Sequence, residues 1–377
     1  MLKYLKYYLS TFLLISAIFI CPIGGSYPTF YFIGFSLLII LGDIVLGKDI
    51  ETNKYSYPFF INLPIYINLF PLVIFLTMVV YIFGNQNSSF LISTYSRYIS
   101  IDLIHIKNGV TLLDKISLTL LSALFIGLNG VNPGHELTHR KKNKFDMFFG
   151  KWLLAFSWDC AFALEHVYGH HKNVGLSSDP ATARRGEGLY SFILSAIIKE
   201  QRDAWHIEFD FLKRRGHHPF SIHNKMIIGY FRSLLITFGS YFIGGVIGMA
   251  FYLLFAFLAK SFLEVINYTE HYGLVREPNK PVCKRHSWNS NNIVSSLLLY
   301  NVTRHSAHHE KANLYFWELD AYPDAPMMPQ GYLSMLYLAF FLPFLYRKVM
   351  EEKLIDWDLN YATPKERIIA MAQIKGI

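Results

Sequence analysis

The chain has 377 residues, 53% of them hydrophobic and 17% aromatic, with a formal net charge of +8. The apolar residues are blocked into long runs, which points to a membrane rather than to one large soluble core. The basic residues flank those runs and gather in a few loops, as orientation signals and headgroup contacts do. No nucleic-acid-binding pattern accompanies them, which sets that class aside.

In chain order, Met1 to Gly25 places Lys3 and Lys6 ahead of an apolar run. No small-x-small cleavage site follows, so this segment is expected to stay as a first helix rather than leave as a secretory signal. Six spanning helices are expected, at about Tyr8–Pro22, Thr29–Leu46, Phe59–Phe83, Leu113–Val131, Met226–Gly244 and Gly245–Tyr268. Pro64 and Pro71 predict kinks in the third. Gly244-Gly245 predicts a tight re-entry between the fifth and sixth, because Met226–Tyr268 is too long for one crossing. Lys48, Lys54, Arg140-Lys141-Lys142 and Lys213-Arg214-Arg215 place both termini in the cytoplasm and Gly84–Thr111 outside. The expected whole is one all-α integral membrane domain. Its bundle covers about 8–134 and 226–268, and a cytoplasmic helical cap covers about 135–225 and 269–377. Met147–Phe162 and Tyr332–Tyr346, apolar but short, are expected as interfacial or cap helices.

Cys21, Cys160 and Cys283 are too few and too scattered for a disulfide framework or a thiolate metal site. Histidine carries the chemistry instead. The first cluster is His135-Glu136-Leu137-Thr138-His139, whose H-E-x-x-H spacing puts both imidazoles on one helical face. The second is Glu165-His166-Val167-Tyr168-Gly169-His170-His171; helical geometry expects His166 and His170 on one face, with His171 about 100° away. The third is His305-Ser306-Ala307-His308-His309, and a lone His271 follows Glu270 where the sixth helix leaves the bilayer. These nine offer enough nitrogen for two metal ions with positions left open, as oxygen activation requires. A zinc protease with Glu136 as base needs one further ligand, and the matching clusters supply seven.

Carboxylates adjoin the clusters: Glu136, Glu165, Asp179, Glu187, Glu270 and Glu310. Some are expected to accept the second ring N–H of a ligand histidine. His105, His206, His217, His218 and His223 are expected away from the site, and His286 in a structural role within the cap. A metal transporter would need ionisable residues along its helices. Those outside the fourth show few, Asp43 and Arg232 being the visible ones.

In order, the motifs H-E-L-x-H, E-H-x-x-G-H-H, N-Y-x-E-H-Y-G and R-H-S-x-H-H, with Asp179–Arg184 and His286–Ser290, resemble the integral-membrane alkane 1-monooxygenases. That family lies within the histidine-box desaturase/hydroxylase superfamily. The likeness runs from about Gly134 to Tyr332. It implies a non-haem diiron centre held by His135, His139, His166, His170, His171, His271, His305, His308 and His309. It also implies O2-dependent terminal hydroxylation of alkyl chains in a bacterial inner membrane, with electrons from a rubredoxin and its NADH-linked reductase. Membrane fatty acid desaturases or hydroxylases and xylene-type monooxygenases are the alternatives on the same scaffold. Arg140, Val302-Thr303 and Leu314–Trp317 depart from the family pattern without touching a ligand.

Overall fold

The computed structural model describes residues 2–86, 89–99 and 102–375, and among them every regular element is helical. Five helical stretches are long and apolar enough to cross a membrane: α1 (Lys3–Ile23), α2 (Tyr27–Val45), α3 (Pro58–Phe83), α4 (Leu112–His139) and α7 (Lys225–His271). Between and after them lie α5 (Lys144–Ala155), α6 (Leu189–Arg214), α8 (His305–Glu310), α9 (Tyr332–Phe341), α10 (Pro343–Asn360) and α11 (Pro364–Lys375).

At 47 residues, α7 would run to about 70 Å if straight, more than twice the roughly 30 Å of bilayer hydrocarbon. It is not straight. Gly245 has φ 67° and ψ −162°, a conformation that suits glycine and breaks the helix into two legs. The legs double back on each other. Gly229 packs on Cys160, and Lys260 reaches Asp159, so residues on either side of Gly245 return to one level. The re-entry expected at Gly244-Gly245 is therefore present, seated against Val80, Gly84 and Asn85 at the end of α3. In α3 itself the regular helix is interrupted at Asn68, near Pro64 and Pro71, though the backbone there stays helical at φ −50° and ψ −29°. The Asn68 side chain knots three helices: it accepts from Thr11 and Asn129 at 2.6 and 3.1 Å and donates to Tyr300 at 2.8 Å.

Buried polar and ionic contacts tie the spanning helices to the segments between and after them. Asp43 of α2 accepts from Ser295 N and Oγ at 2.9 and 2.6 Å and from Ser334 Oγ at 2.8 Å. Lys260 and Glu264, absent from the expected pair of Asp43 and Arg232, lie on the second leg of α7 and face inward. Lys260 Nζ meets Asp159, Glu200 and Glu264 at 2.8, 2.7 and 2.6 Å. These groups form a closed ionic knot between α6, α7 and the loop after α5, not the walls of an open path. Losing one partner of such a buried pair costs about 3–5 kcal/mol. The segment Gly84–Thr111 contains two helices, Ser89–Ile99 and Leu103–Gly109, while residues 87–88 and 100–101 fall outside the described set.

Candidate metal centre

α4 and the second leg of α7 end side by side at one end of the bundle, delivering His135, His139 and His271 there. α8 brings His305, His308 and His309. Its start is fixed by the buried Arg304, which donates to the carbonyls of Leu319, Asp49 and Glu51 at 2.6, 3.0 and 3.0 Å. The remaining three come from Phe162–Glu165 and the turn that continues it. That turn, His166–His170, is a π-turn, in which the His171 N–H donates to the His166 carbonyl five residues back. The His166 and His170 rings stack 5.2 Å apart, on one face as expected, but the wider turn brings His171 to that face as well. His171 Nε2 comes within 3.2 Å of His166 Nε2, and His170 leaves for a different set of partners. A Cβ at Gly169 would lie 2.4 Å from Glu165 Oε1, so the buried Glu165 side chain would have to shift to admit one.

All nine histidines converge, in two groups. His135, His139, His166 and His308 form the first; His170, His271, His305 and His309 form the second, and within each the ligand atoms lie within 4.8 Å of one another. His171 sits between them, its ring 4.8 Å from that of His308 and 4.6 Å from that of His309. Seven Nε2···Nε2 separations run from 2.9 to 3.2 Å.

These contacts do not work as hydrogen bonds. His135 Nε2 has three such neighbours, at 3.0, 3.1 and 3.1 Å, yet a neutral imidazole nitrogen offers one proton or one lone pair. An electrophile shared between the lone pairs resolves this. Two nitrogens bound at right angles, each about 2.1 Å from an ion, stand about 3.0 Å apart. Burial, and after it the neighbouring imidazoles, holds His166, His171, His305, His308 and His309 well below their ordinary protonation range. They are therefore neutral at pH 7, the form that ligates.

The outer contacts orient the rings. Asp179 Oδ2 lies 2.9 Å from His170 Nδ1, and Thr182 donates to the same oxygen at 2.5 Å. Burial acts to raise the Asp179 carboxyl, but His170 and Thr182 together hold it below its usual range. His271 Nδ1 lies 3.2 Å from the His286 carbonyl, and His286 is itself buried against Glu366 at 2.9 Å. Glu270 comes closer than an outer contact: its Oε2 is 3.2 Å from His305 Nε2, and its buried Oε1 meets no protein donor. An orphaned oxygen on the carboxylate that meets His305 also fits a cation.

The other carboxylates stand apart. Glu136 turns to Arg140 at 2.7 Å and accepts from Phe316 N at 3.4 Å, so H-E-x-x-H here joins two further histidines and leaves no free glutamate base. Glu165 lies under Gly169, and burial, then the Asp179 charge, pushes its carboxyl well above the usual range. Glu187 closes a turn on Arg184 N at 2.9 Å, and Glu310 accepts from Tyr322 on the exposed side; neither reaches an imidazole. His105 lies beside Gly24, while His206, His218 and His223 are exposed.

An apolar cavity of about 70 Å³ ends on His135, His166 and His305, so both groups form its floor. Its walls come from α4 at Leu124, Gly127 and Leu128 and from α7 at Phe262, Leu263 and Ile266. One water needs about 10–15 Å³ by this measure, so the space is a slot several waters long. A second π-turn, Ile126–Val131, shapes the α4 wall. Half-buried His139 and His171 line a separate cleft of about 590 Å³ with Arg140, Lys141, Lys142 and Lys311 and with Glu136, Asp146 and Glu310.

Residues 116–345 match the model of the fatty acid desaturase family. The chain is 38% identical over 257 residues to alkane 1-monooxygenase 2 of Alcanivorax borkumensis, covering 66% of each chain. It is 37% identical over 256 residues to an alkane 1-monooxygenase of Ectopseudomonas oleovorans, covering 63% of this chain and 62% of that one. To the xylene/toluene monooxygenase hydroxylase component of Pseudomonas putida it is 32% identical over 378 aligned residues, covering 98% of this chain and 94% of that one. The matches thus span between 60% and 67% of the alkane relatives' length but nearly all of the xylene relative.

Proposed function

The chain belongs to the fatty acid desaturase family, in the branch that holds alkane 1-monooxygenases and xylene-type hydroxylases, and on that footing we propose that it hydroxylates the terminal methyl of an alkane or alkyl chain. The balance is R–CH3 + O2 + 2 e⁻ + 2 H⁺ → R–CH2OH + H2O. The carrying observation is the apolar slot that ends on imidazoles of both groups.

A saturated C–H bond offers no polar handle, so acid–base groups alone do not attack it. Two iron ions held by the nine histidines, four to each group with His171 between, would supply the oxidising power when reduced and given O2. The protein's own part is positional. Leu124, Leu128, Phe262 and Ile266 keep water from the slot and guide an apolar chain end toward His135 and His305. Asp179 and the His286 carbonyl hold His170 and His271 with Nε2 toward the centre.

The geometry and the basic segments support six crossings, with the hairpin of α7 counted twice, and both termini with the cap in the cytoplasm of a bacterial inner membrane. On that side the cleft that reaches His139 and His171 carries Lys141, Lys142 and Lys311 beside an Arg140 already paired with Glu136 and Asp146. It suits a small negatively charged electron donor of the rubredoxin type, itself reduced through an NADH-linked reductase.

The nearly full-length match to the xylene relative favours a second reading, in which the methyl group is carried by an aromatic ring. Membranes holding the protein and a reductant chain should convert decane to 1-decanol; benzyl alcohol from toluene would select the second reading. A double bond in acyl lipids in place of any alcohol would make it a desaturase. No oxygenated product from short, long or aromatic substrates would refute both hydroxylase readings.

A further inference from the structure

Six cations converge where α7 begins, in a cleft of about 460 Å³ lined by Lys141, Lys144, Lys151, Arg215, Lys225 and Arg232. Among the described residues no Asp or Glu lines it. Lys225 has one acidic neighbour, Glu208, at 3.9 Å. Among the described residues, the other five have no carboxylate within ion-pair distance. Lys141 instead lies 4.2 Å over the Tyr168 ring, and Arg232 lies 5.9 Å from the Trp152 ring.

Like charges in a confined space repel, and burial makes this worse. Burial, and then the charges of Lys225 and Arg232, holds the Lys151 ammonium below its ordinary range. Arg232 sharpens the point. It stands seven residues into an apolar helix, about 10 Å from its start. Within a membrane-spanning helix such a charge calls for an anionic partner, and among the described residues no carboxylate supplies one.

The rest of the cleft indicates what the partner is. Met147, Phe148 and Leu154 give it an apolar side. Phe148 and, on α7, Phe231 are 54% and 59% exposed, the outward face expected against acyl chains. Tyr168 lines the cleft and Trp152 lies beside Arg232; both are residue types enriched at headgroup depth. A ligand with a phosphate at one end and a hydrocarbon tail at the other meets both halves.

We propose that this cleft is a binding site for the headgroup of an anionic phospholipid, whose phosphate bridges Lys151 and Arg232 while its acyl chain lies along Phe148. The site is separate from the imidazole centre and independent of which substrate is oxidised. The bound lipid would staple the start of α7 to α5.

The full-length protein, delipidated in neutral detergent, is titrated with dioleoylphosphatidylglycerol or dioleoylphosphatidylcholine in mixed micelles, or with inorganic phosphate alone. Native mass spectrometry reads occupancy and a melting curve reads Tm. One phosphatidylglycerol per chain should survive washing, and only that lipid should raise Tm. At about fivefold for each cation near an anionic headgroup, Lys151→Gln with Arg232→Gln should weaken binding roughly thirtyfold. Lys151→Gln alone should weaken it about fivefold. Relief of repulsion should also make lipid-free Lys151→Gln melt no lower than the parent. Equal retention of the two lipids, or unchanged binding by the variants, overturns the proposal. So does an equal Tm shift from inorganic phosphate. A variant that binds lipid normally but is reduced more slowly by a soluble donor would assign the cleft to a protein partner and overturn it too.

Discussion

Asp179→Asn separates the two halves of the centre. Asp179 is fully enclosed, and its Oδ2 takes both the His170 ring at 2.9 Å and the Thr182 hydroxyl at 2.5 Å. The amide keeps the shape and removes the charge. Its oxygen can still accept from one of these groups, but the charge-assisted bond, roughly twice as strong as a neutral one, is lost. Loss of such an outer contact lowers metal affinity about 10- to 100-fold, or about 1.4–2.7 kcal/mol. The effect should fall on one ion only, because His170 belongs to the group of His271, His305 and His309, while no member of the other group contacts Asp179. The assay is an anaerobic chelator competition on purified protein loaded with Fe(II). The variant should release one iron at about 10- to 100-fold lower chelator concentration and hold the other as the parent does. Activity lost at limiting iron should return with excess Fe(II). Release of both ions in parallel, or of neither, would show that the histidines do not divide as described.

Three further outcomes test other parts of the structure. His309 bridges His170 at 3.2 Å and His305 at 2.9 Å, so His309→Ala should lower iron content toward one per chain and abolish turnover; full activity with unchanged iron would remove it from the site. Gly127 lines the slot, and a Cβ added there meets nothing within 4 Å, so Gly127→Leu should fold and load metal normally yet turn against the longer or bulkier member of a substrate pair. The misfit of a methylene or more is worth about tenfold or above in relative kcat/KM, and an unchanged ratio would place the substrate elsewhere. Lys260→Met leaves three carboxylates buried together and should cost about 3–5 kcal/mol of stability. A melting curve superimposed on the parent's would show that the knot bears no load.

Much of this was legible from spacing. Histidines four apart at His135/His139 and His305/His309 announce shared helical faces, and both pairs meet at Nε2. The glycine pair before the second leg of α7 announces the reversal, because φ 67° is natural only to Gly245. What spacing hides is the π-turn. A single wider turn at His166–His170 leaves no mark in the periodicity, yet it sends His170 to one group and leaves His171 between the two, against His166. Adjacency in sequence misleads in the same way for Glu187 and Glu310, which neighbour histidine motifs along the chain but satisfy their own turns and tyrosine. Lys260 and Glu264 are concealed by the hydropathy of their surroundings; only the packing of α6 on α7 reveals that they are paired. The cationic cleft draws on five separate stretches of chain, so no local motif could announce it.

The central claim is that these nine imidazoles hold two ions within reach of one apolar slot. Elemental analysis of the protein, purified anaerobically and quantified by amino-acid analysis, tests it most directly. The expected result is close to two iron atoms per chain, falling toward one in His309→Ala; a single zinc per chain, or none, would contradict it.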